Sequence, residues 1–367
     1  MNLLVQEREG IRKLPSLLSH LQCRRPLLVC GNSFRRSRQY GELKSTLAPV
    51  EFSAFTPNPR LSEIKEGVAV FHANACDALV AVGGGSAMDV AKCIKLFCRN
   101  DPKTDWLKEA PCDTGIPLVA VPTTAGTGSE ATHFAVVYHE NVKYSVAHPS
   151  LCPQAAVLDP DLLTSLPPYQ KACSMMDALC QAIESHWSVR ATEKSIAFAR
   201  AAVKDIVTYG RDYVMNNCSQ AAEKVLLAAH RAGCAINLTT TTAAHAMSYQ
   251  LTKLYDLPHG HSVSLCLGEV WREMLAHPSP CAHPLGEQGL KDCFRRICED
   301  LGVASPEEAL TLWQGLLEDY GLHSPVSRQR EAELSHLCAS VNPARLGNNP
   351  VSFSQDTLYR LYERIVK

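Results

Sequence analysis

Four side chains in the second half of the chain are of the types that bind a divalent transition metal. Asp177 and Gln181 lie in SMMDALCQAIESHWS, whose pattern is helical, so their i,i+4 spacing puts both on one helix face. His245 follows in TTTTAAHAMSYQLT and His259 in LYDLPHGHSV. A carboxylate with two imidazoles suits Fe²⁺ or Zn²⁺. Each histidine taken singly is one of 14, and a satisfied polar residue is then the more common outcome.

Two loops rich in small residues have the composition of a phosphate and dinucleotide site. The segment GGGSAMDVAK (83–92) follows an apolar run and opens a helical pattern, where glycines and free N–H groups suit a pyrophosphate. It is not the GxGxxG fingerprint, so a simple tight turn is an equal alternative for this stretch alone. The segment PTTAGTGSE (122–130) ends another apolar run, where ligands of open α/β sheets bind. Two such loops on adjacent strand ends favour a long cofactor.

These candidate sites need elements to position them, and the first part of the chain alternates apolar runs with helical patterns. The predicted strands lie in PLLVCG (26–31), VEFSAF (50–55), the start of 77–97, the start of 116–130 and the start of 155–168. This alternation predicts a mostly parallel sheet with helices on both faces. From Tyr169 to Lys367 almost every segment has a helical pattern. We therefore predict an α/β unit over 1–160 and an all-helical unit over 161–367.

The composition argues against several classes of function. The formal net charge of the 367 residues is −1, so no basic field indicates nucleic acid or an anionic membrane surface as a partner. We find no run of about 18 apolar residues that predicts a transmembrane helix. The first residues, MNLLVQEREG, turn acidic too soon for a signal peptide. We therefore expect a cytoplasmic protein whose 16 cysteines are free thiols.

Four motifs taken together resemble one enzyme family. These motifs are GGGSAMDVAK, PTTAGTGSE, DAL…AIES and H…LPHG, and in this order they resemble the iron-containing, or group III, alcohol dehydrogenases. The resemblance covers nearly the whole chain. It implies the fold of that family, in which an α/β dinucleotide-binding domain precedes an all-helical metal-binding domain. It also implies NAD(P)H-dependent hydride transfer and, by family analogy, a homodimer.

The resemblance assigns the cofactor contacts residue by residue. It implies that the pyrophosphate is held by Gly83, Gly84, Gly85 and Ser86, the nicotinamide half by Thr123, Thr124, Thr127 and the Ser129 hydroxyl, and the ribose by Lys143. Asp89 would cap or orient the glycine turn. The acidic residue that selects NAD in the family falls at Gly31 here, so NAD and NADP both stay open. Arg35 and Arg36 are candidates for binding a 2′-phosphate, or they are solvated surface.

The same resemblance makes Asp177, His245 and His259 metal ligands, with Fe²⁺, Zn²⁺ or Mn²⁺ as the ion. The chain departs from the family at Gln181, where a histidine is usual. Three outcomes are open: Gln181 ligates through its amide oxygen, a water takes its place, or the site binds no metal. A second departure is Tyr249, where many members carry a proton-relaying histidine. Tyr249 or His261 is therefore expected to pass the proton.

Several hydroxyl and amide groups precede His245. Asn237, Thr240 and Thr241 place donors there that a hydrocarbon alcohol does not need, and His148 and Arg190 are candidates to neutralise an anion. The threonines have a simpler alternative role in capping a helix.

These details resemble the phosphonoacetaldehyde reductase branch of the family. They predict reduction of a two-carbon aldehyde that carries a phosphonate or a sulfonate. A general short-chain alcohol dehydrogenase and a non-catalytic nucleotide-binding relative are the alternatives.

Overall fold

A parallel sheet of six strands forms the centre of the N-terminal part of the chain. The computed structural model describes residues 3–101, 103–140 and 142–367. The strands are β1 (Leu3–Gln6), β2 (Pro26–Cys30), β3 (Val50–Phe52), β4 (Ala78–Gly83), β5 (Leu118–Pro122), β6 (Phe134–His139), β7 (Val142–Ala147) and β8 (Ala155–Leu158). The sheet order is β1-β8-β5-β4-β2-β3, while β6 and β7 form a separate antiparallel hairpin.

Helices cover both faces of this sheet. They are α1 (Leu14–His20), α2 (Asn32–Arg35), α3 (Arg38–Leu47), α4 (Leu61–Ala73) and α5 (Gly85–Phe97). Successive strand residues point to opposite faces, so Leu27 and Val29 of β2 pack in the core with α4 and α5. Leu28 and Cys30 pack in the second core with α1 and α3. Burial on both faces is the reason that the central strands read as continuous apolar runs.

The strand order creates a crevice at the end of β4. β2 is flanked by β3 on one side and by β4 on the other, so the direction of winding changes between β2 and β4. Ligands of open α/β sheets bind outside the carboxyl ends of the strands at such a point. The glycine loop begins at Gly83, the last residue of β4.

The predicted fold class is confirmed, although two parts of the N-terminal sheet architecture were not predicted. β1 is an edge strand of four mostly exposed residues, and its apolar run of Leu3, Leu4 and Val5 is shorter than those of the central strands. β7 is likewise largely exposed, and its hairpin with β6 lies outside the main sheet. None of the 16 cysteines, all of which lie in the described ranges, forms a disulfide.

The chain divides into two compact units, Met1–Ser165 and Leu166–Lys367, and the second is helical. Its helices are α6 (Pro168–Trp187), α7 (Glu193–Met215), α8 (Ser219–Thr239), α9 (Ala243–Tyr255), α10 (His259–Ala276), α11 (Gly286–Leu301), α12 (Pro306–Asp319), α13 (Arg330–Ser340), α14 (Pro343–Leu346) and α15 (Gln355–Ile365). Helix α10 packs against both α6 and α9. Within the described ranges, no helix combines the length and the apolar character needed to cross a membrane.

Candidate functional site

Three side chains from three helices converge inside the second unit. Asp177 of α6, His245 of α9 and His259 of α10 each bring one ligand atom within 4.8 Å of the others. Asp177 and His245 are both 3% exposed, and His259 is half-buried. The Nε2 atom of His245 lies 3.2 Å from Oδ1 of Asp177. This set of one carboxylate and two imidazoles has the chemistry of an Fe²⁺ or Zn²⁺ site, at the residues that the sequence predicts.

The charges of the cluster favour a cation. Burial acts to raise the pKa of Asp177, but its hydrogen bond with His245 and the charge of His259 outweigh burial and lower it. Burial acts to lower the pKa of His245, yet the charge of Glu184 and the hydrogen bonds to Asp177 and Glu184 raise it to about 9. The two carboxylates therefore stabilise positive charge between them, which is the field that a divalent ion requires.

Gln181 lies beside this cluster, one helical turn after Asp177. It is 4% exposed, and its side chain hydrogen-bonds to the Asp177 carboxylate. A carboxylate only accepts, so the amide nitrogen of Gln181 is the atom that donates. Gln181 in this orientation holds Asp177 in place, and a half-turn of its amide would present the oxygen instead.

Glu184 is not among the predicted site residues, yet it orients His245, one of the candidate metal ligands. The fully buried carboxylate accepts from the backbone N–H groups of Thr242, Ala244 and His245 at 3.1, 3.0 and 3.3 Å. The Thr242 hydroxyl also donates to it, at 2.7 Å. Its other oxygen hydrogen-bonds to Nδ1 of His245. Glu184 thus caps the N-terminus of α9 and turns Nε2 of His245 toward Asp177.

One sequence signal could have indicated Glu184. Asp177, Gln181 and Glu184 are spaced i, i+4 and i+7, so they share one face of α6. Buried acidic residues require partners. An acid on the face of a predicted metal ligand is therefore a candidate to orient a ligating histidine.

Tyr249, predicted to pass the proton, lies against His259, one of the candidate metal ligands. Its ring is parallel to that of His259, with an interplanar angle of 2° and centroids 5.7 Å apart. Its hydroxyl accepts a hydrogen bond from Nη1 of Arg345 at 2.9 Å. A phenol oxygen that accepts can still donate its own hydrogen to another group. Arg345 has no counterpart among the predicted site residues.

The structure argues against the predicted proton-relay role of His261. One ring nitrogen, Nδ1, lies 2.8 Å from the hydroxyl of Tyr169, and Nε2 lies 3.0 Å from the backbone carbonyl of His323. Burial lowers the pKa of this imidazole, with hydrogen bonds to backbone opposing the shift. Both nitrogens are therefore occupied in joining segments of the second unit.

Thr240 and Thr241, which the sequence predicts as substrate contacts, accept hydrogen bonds from Asn348. Nδ2 of Asn348 donates to the Thr239 carbonyl, the Thr240 hydroxyl and the Thr241 carbonyl at 2.8, 3.0 and 3.0 Å. Thr240 has φ 58° and ψ 176°, a backbone conformation that β-branched residues rarely adopt. These contacts support the simpler role for Thr240 and Thr241, which is to shape the turn between α8 and α9.

The other predicted substrate contacts are spread over the chain. Asn237 is half-buried on α8, and Arg190 is exposed in the turn after α6, as a solvated arginine would be. His148 lies in the first unit, where its Nδ1 accepts from the Ser150 backbone N–H at 3.2 Å and caps a turn. That local bond opposes the predicted role of His148 in binding an anion.

The two predicted cofactor loops meet in the first unit. The backbone N–H of Thr123 donates to the Gly83 carbonyl at 2.9 Å, and a Cβ built on Gly85 would lie 3.0 Å from Thr127. Gly84 is the N-cap of α5, and no side chain among the described residues caps it. Gly84, Gly85 and Ser86 at this helix start are half-buried, and the N–H groups of a helix N-terminus suit a phosphate. Thr124 and Ser86 lie in the same loops.

Lys92 fixes the second loop from below. Its fully buried ammonium donates to the Ser129 carbonyl at 2.6 Å, the Ser129 hydroxyl at 2.9 Å, the Thr132 hydroxyl at 3.0 Å and the Phe134 carbonyl at 3.0 Å. Burial lowers its pKa to about 8, and Asp89 opposes that shift. The Ser129 hydroxyl accepts one of these bonds and keeps its own hydrogen to donate, so its contact with the cofactor stays a prediction.

The structure also corrects the prediction that Asp89 caps the glycine turn. Its carboxylate accepts from the backbone N–H of Val136 on β6, away from the start of α5. Burial raises its pKa to about 7, while the charges of Lys92 and Lys143 oppose the shift. Asp89 and Lys143 are thus electrostatic neighbours, and Asp89 connects α5 to the β6–β7 hairpin.

Arg35, a candidate for a 2′-phosphate, has partners of its own. Its Nη1 donates to the Ser53 hydroxyl at 3.1 Å, and its Nε lies 3.8 Å from the Glu51 carboxylate. Glu51, on β3, also accepts from the Tyr40 hydroxyl at 2.7 Å. An acid thus lies beside Arg35 on the neighbouring strand, which weakens the case for a bound 2′-phosphate.

Comparison with known proteins gave matches across both units. The family model described as iron-containing alcohol dehydrogenase matches residues 2–160, and the model of the family's C-terminal part matches 171–366. The chain is 35% identical to the phosphonoacetaldehyde reductase of Streptomyces viridochromogenes over 300 residues, which are 78% of this chain and 75% of that relative. It is 37% identical to the NAD-dependent methanol dehydrogenase of Bacillus methanolicus over 318 residues, 80% of each chain.

A solved structure matches over nearly the full length. The sulfoacetaldehyde reductase of Bifidobacterium kashiwanohense, in complex with NAD+, aligns with a TM-score of 0.89 at 26% identity. The alignment covers 99% of this chain and 96% of that chain.

Proposed function

The chain belongs to the iron-containing alcohol dehydrogenase family, and from that premise we propose that it reduces a two-carbon aldehyde bearing a phosphonate or a sulfonate. The products are the corresponding alcohol and NAD(P)+. The observation that carries metal-assisted reduction is the buried cluster of Asp177, His245 and His259. A protein that only bound nucleotides would have no use for this set of ligand atoms.

The chemistry divides between the bound groups and the chain. Asp177, His245 and His259 would hold a divalent cation, which when bound would polarise a carbonyl oxygen as a Lewis acid, and reduced nicotinamide would supply the hydride. Reduction also needs one proton on the carbonyl oxygen. Tyr249 is the group of the chain that we assign to donate it, because its ring lies against His259.

The chain also prepares its ligands in advance. Glu184 accepts the Nδ1 hydrogen of His245, so Nε2 is the nitrogen that would bind a cation, in place of its hydrogen bond with Asp177. Gln181 donates to Asp177 and fixes the carboxylate. In the first unit the N–H groups at the start of α5 would bind the pyrophosphate, with Lys143 near the ribose. NAD is the cofactor that we favour, because Arg35 is partnered by Glu51 and Ser53.

The substrate class is supported by two relatives. One is a phosphonoacetaldehyde reductase and the other a sulfoacetaldehyde reductase, and both share the two-carbon aldehyde with an anionic end. A second candidate is a short unsubstituted alcohol, favoured by the identity to a methanol dehydrogenase. We expect the protein to act as a homodimer.

A substrate panel tests the proposal. The purified protein is stripped of metal with a chelator, reloaded with Fe²⁺, Mn²⁺ or Zn²⁺, and assayed by absorbance of NADH or NADPH. Phosphonoacetaldehyde and sulfoacetaldehyde are compared with acetaldehyde and propanal. We expect an anionic aldehyde to give the highest kcat/KM, and only with metal restored. Faster turnover of acetaldehyde or propanal than of both anionic aldehydes would contradict the proposal.

A further inference from the structure

We infer that Arg345 binds the phosphonate or sulfonate group of the substrate and is the residue that selects an anionic aldehyde. The inference rests on the proposed function. It names Arg345 as the anion-binding residue in place of His148 and Arg190, the two cations that the sequence indicates.

Arg345 lies close to the candidate metal ligands, through its contact with Tyr249. Its Nη1 donates to the Tyr249 hydroxyl at 2.9 Å, and its guanidinium carbon lies 5.0 Å from the centre of the Tyr249 ring. The Tyr249 ring in turn lies parallel to His259. One chain of direct contacts thus joins the guanidinium to a candidate metal ligand. A two-carbon substrate is short, so both of its ends need recognition groups within this small region.

Arg345 has hydrogen-bond donors that remain available to a ligand. Guanidinium has five N–H donors in a planar fork, and the hydrogen bond to Tyr249 occupies one of them. Within residues 3–101, 103–140 and 142–367, no carboxylate forms an ion pair with Arg345, although its side chain is half-buried. By contrast, Arg360 and Arg364 both pair with Glu273. A tetrahedral oxyanion would supply the missing negative charge and two oxygens for the fork.

The segment that contains Arg345 is anchored beside α9. Arg345 lies in α14, and Asn348 follows it by less than one helical turn. Asn348 donates to the Thr240 hydroxyl and its neighbours, in the turn that leads into α9. Helix α9 also carries His245 and Tyr249. The segment that carries Arg345 is therefore held by two contacts, from Arg345 to Tyr249 on α9 and from Asn348 to the turn before α9. Preorganised groups of this kind discriminate between substrates.

The expected consequence is asymmetric. A neutral aldehyde leaves the guanidinium without a counter-charge, while an anionic aldehyde completes the pair. Replacing Arg345 should therefore cost more with the anionic substrate than with the neutral one, for which only the hydrogen bond to Tyr249 is lost. We expect a loss of roughly 100-fold in kcat/KM for the anionic aldehyde, because one partner of a partly desolvated charge pair is removed.

The test uses Arg345→Gln and Arg345→Lys in the metal-loaded enzyme. Each variant is assayed with phosphonoacetaldehyde, sulfoacetaldehyde and propanal. Arg345→Gln should lose about 100-fold in kcat/KM on its preferred anionic aldehyde and no more than about tenfold on propanal, where only the hydrogen bond to Tyr249 is affected. Arg345→Lys keeps the charge but not the fork, so it should fall between Arg345→Gln and the wild type. Binding of the product, 2-hydroxyethylphosphonate or isethionate, to the NAD+ complex is measured by calorimetry and should weaken in parallel.

A matched control separates this effect from a general loss of charge. Arg272 lies on α10 with His259, about 20 Å further along the helix, and pairs with Glu269. Arg272→Gln removes the same charge and should leave the preference unchanged.

Two results are distinguishable. A wild type without preference for either anionic aldehyde contradicts the proposed function. If the wild type has that preference, the assignment of Arg345 is overturned when Arg345→Gln keeps the preference or loses kcat/KM equally on propanal. Neither result contradicts the proposed function.

Discussion

Replacement of Glu184 by glutamine is the sharpest test of the candidate metal centre. One carboxylate oxygen of Glu184 accepts from three backbone N–H groups at the start of α9, and the other meets Nδ1 of His245. Glutamine keeps one oxygen, and the three N–H donors will retain it because an amide NH₂ there would face donors only. The NH₂ group then faces Nδ1 of His245, which must become an acceptor. The ring hydrogen moves to Nε2, the atom directed at Asp177.

The size of the effect follows from this change of tautomer. A cation that binds Nε2 forces the remaining ring hydrogen back to Nδ1, where it would face the introduced NH₂ group instead of an acceptor. Loss of the partner that orients a ligating histidine typically costs about 10–100-fold in metal affinity. This corresponds to about 1.4–2.7 kcal/mol. A buried negative charge at the N-terminus of α9 is also lost, which should lower the free energy of unfolding by up to about 2 kcal/mol.

The assay measures both quantities separately. Zn²⁺ affinity is obtained by competition with a chromogenic chelator, and the free energy of unfolding of the metal-free protein by urea titration. The matched control is Asp300→Asn. Asp300 is also a buried carboxylate beside a histidine, with Oδ2 3.5 Å from Nε2 of His186, and Arg200 pairs with it at 3.0 Å. Asp300→Asn should lower stability and leave Zn²⁺ affinity unchanged. Zn²⁺ affinity of Glu184→Gln within twofold of the wild type would refute the reasoning.

Three further outcomes are expected. Gln181→His should raise metal affinity by roughly tenfold in the chelator assay, because imidazole is a better donor than a neutral amide; an unchanged affinity would mean that residue 181 does not face the ion. Lys92→Met should lower the free energy of unfolding by roughly 3 kcal/mol and raise the KM for NADH, since Ser129 loses its buried donor; an unchanged KM would separate this lysine from the cofactor loop. Asn348→Ala should lower the free energy of unfolding by about 1–3 kcal/mol in urea titration, because the turn at Thr240 loses its hydrogen-bond donor; an unchanged value would show that the turn is stable without Asn348.

Much of the fold could be predicted because its signals are local. The central strands are buried on both faces, so each appears as an uninterrupted apolar run, and helices follow from periodicity within a few turns. The resemblance to the family, read from four motifs, is confirmed by the matching family models. Edge strand β1 escaped prediction because its apolar run is only three residues long, and the exposed hairpin strand β7 because polar residues interrupt its sequence.

The candidate site shows where the sequence alone reaches its limit. Residue types, together with the resemblance to the family, predicted Asp177, Gln181, His245 and His259 as candidate metal ligands. Only the tertiary structure decided that Glu184 supports His245, 61 residues away along the chain, and that His261 is occupied elsewhere.

Arg345 shows the same limit at a greater distance along the chain, since it meets Tyr249 across 96 residues. The physical reason is that periodicity reports which face of a helix is buried. Which polar partners meet there depends on the packing of α6, α9 and α10, together with α14, and chain-distant contacts of this kind leave no local pattern.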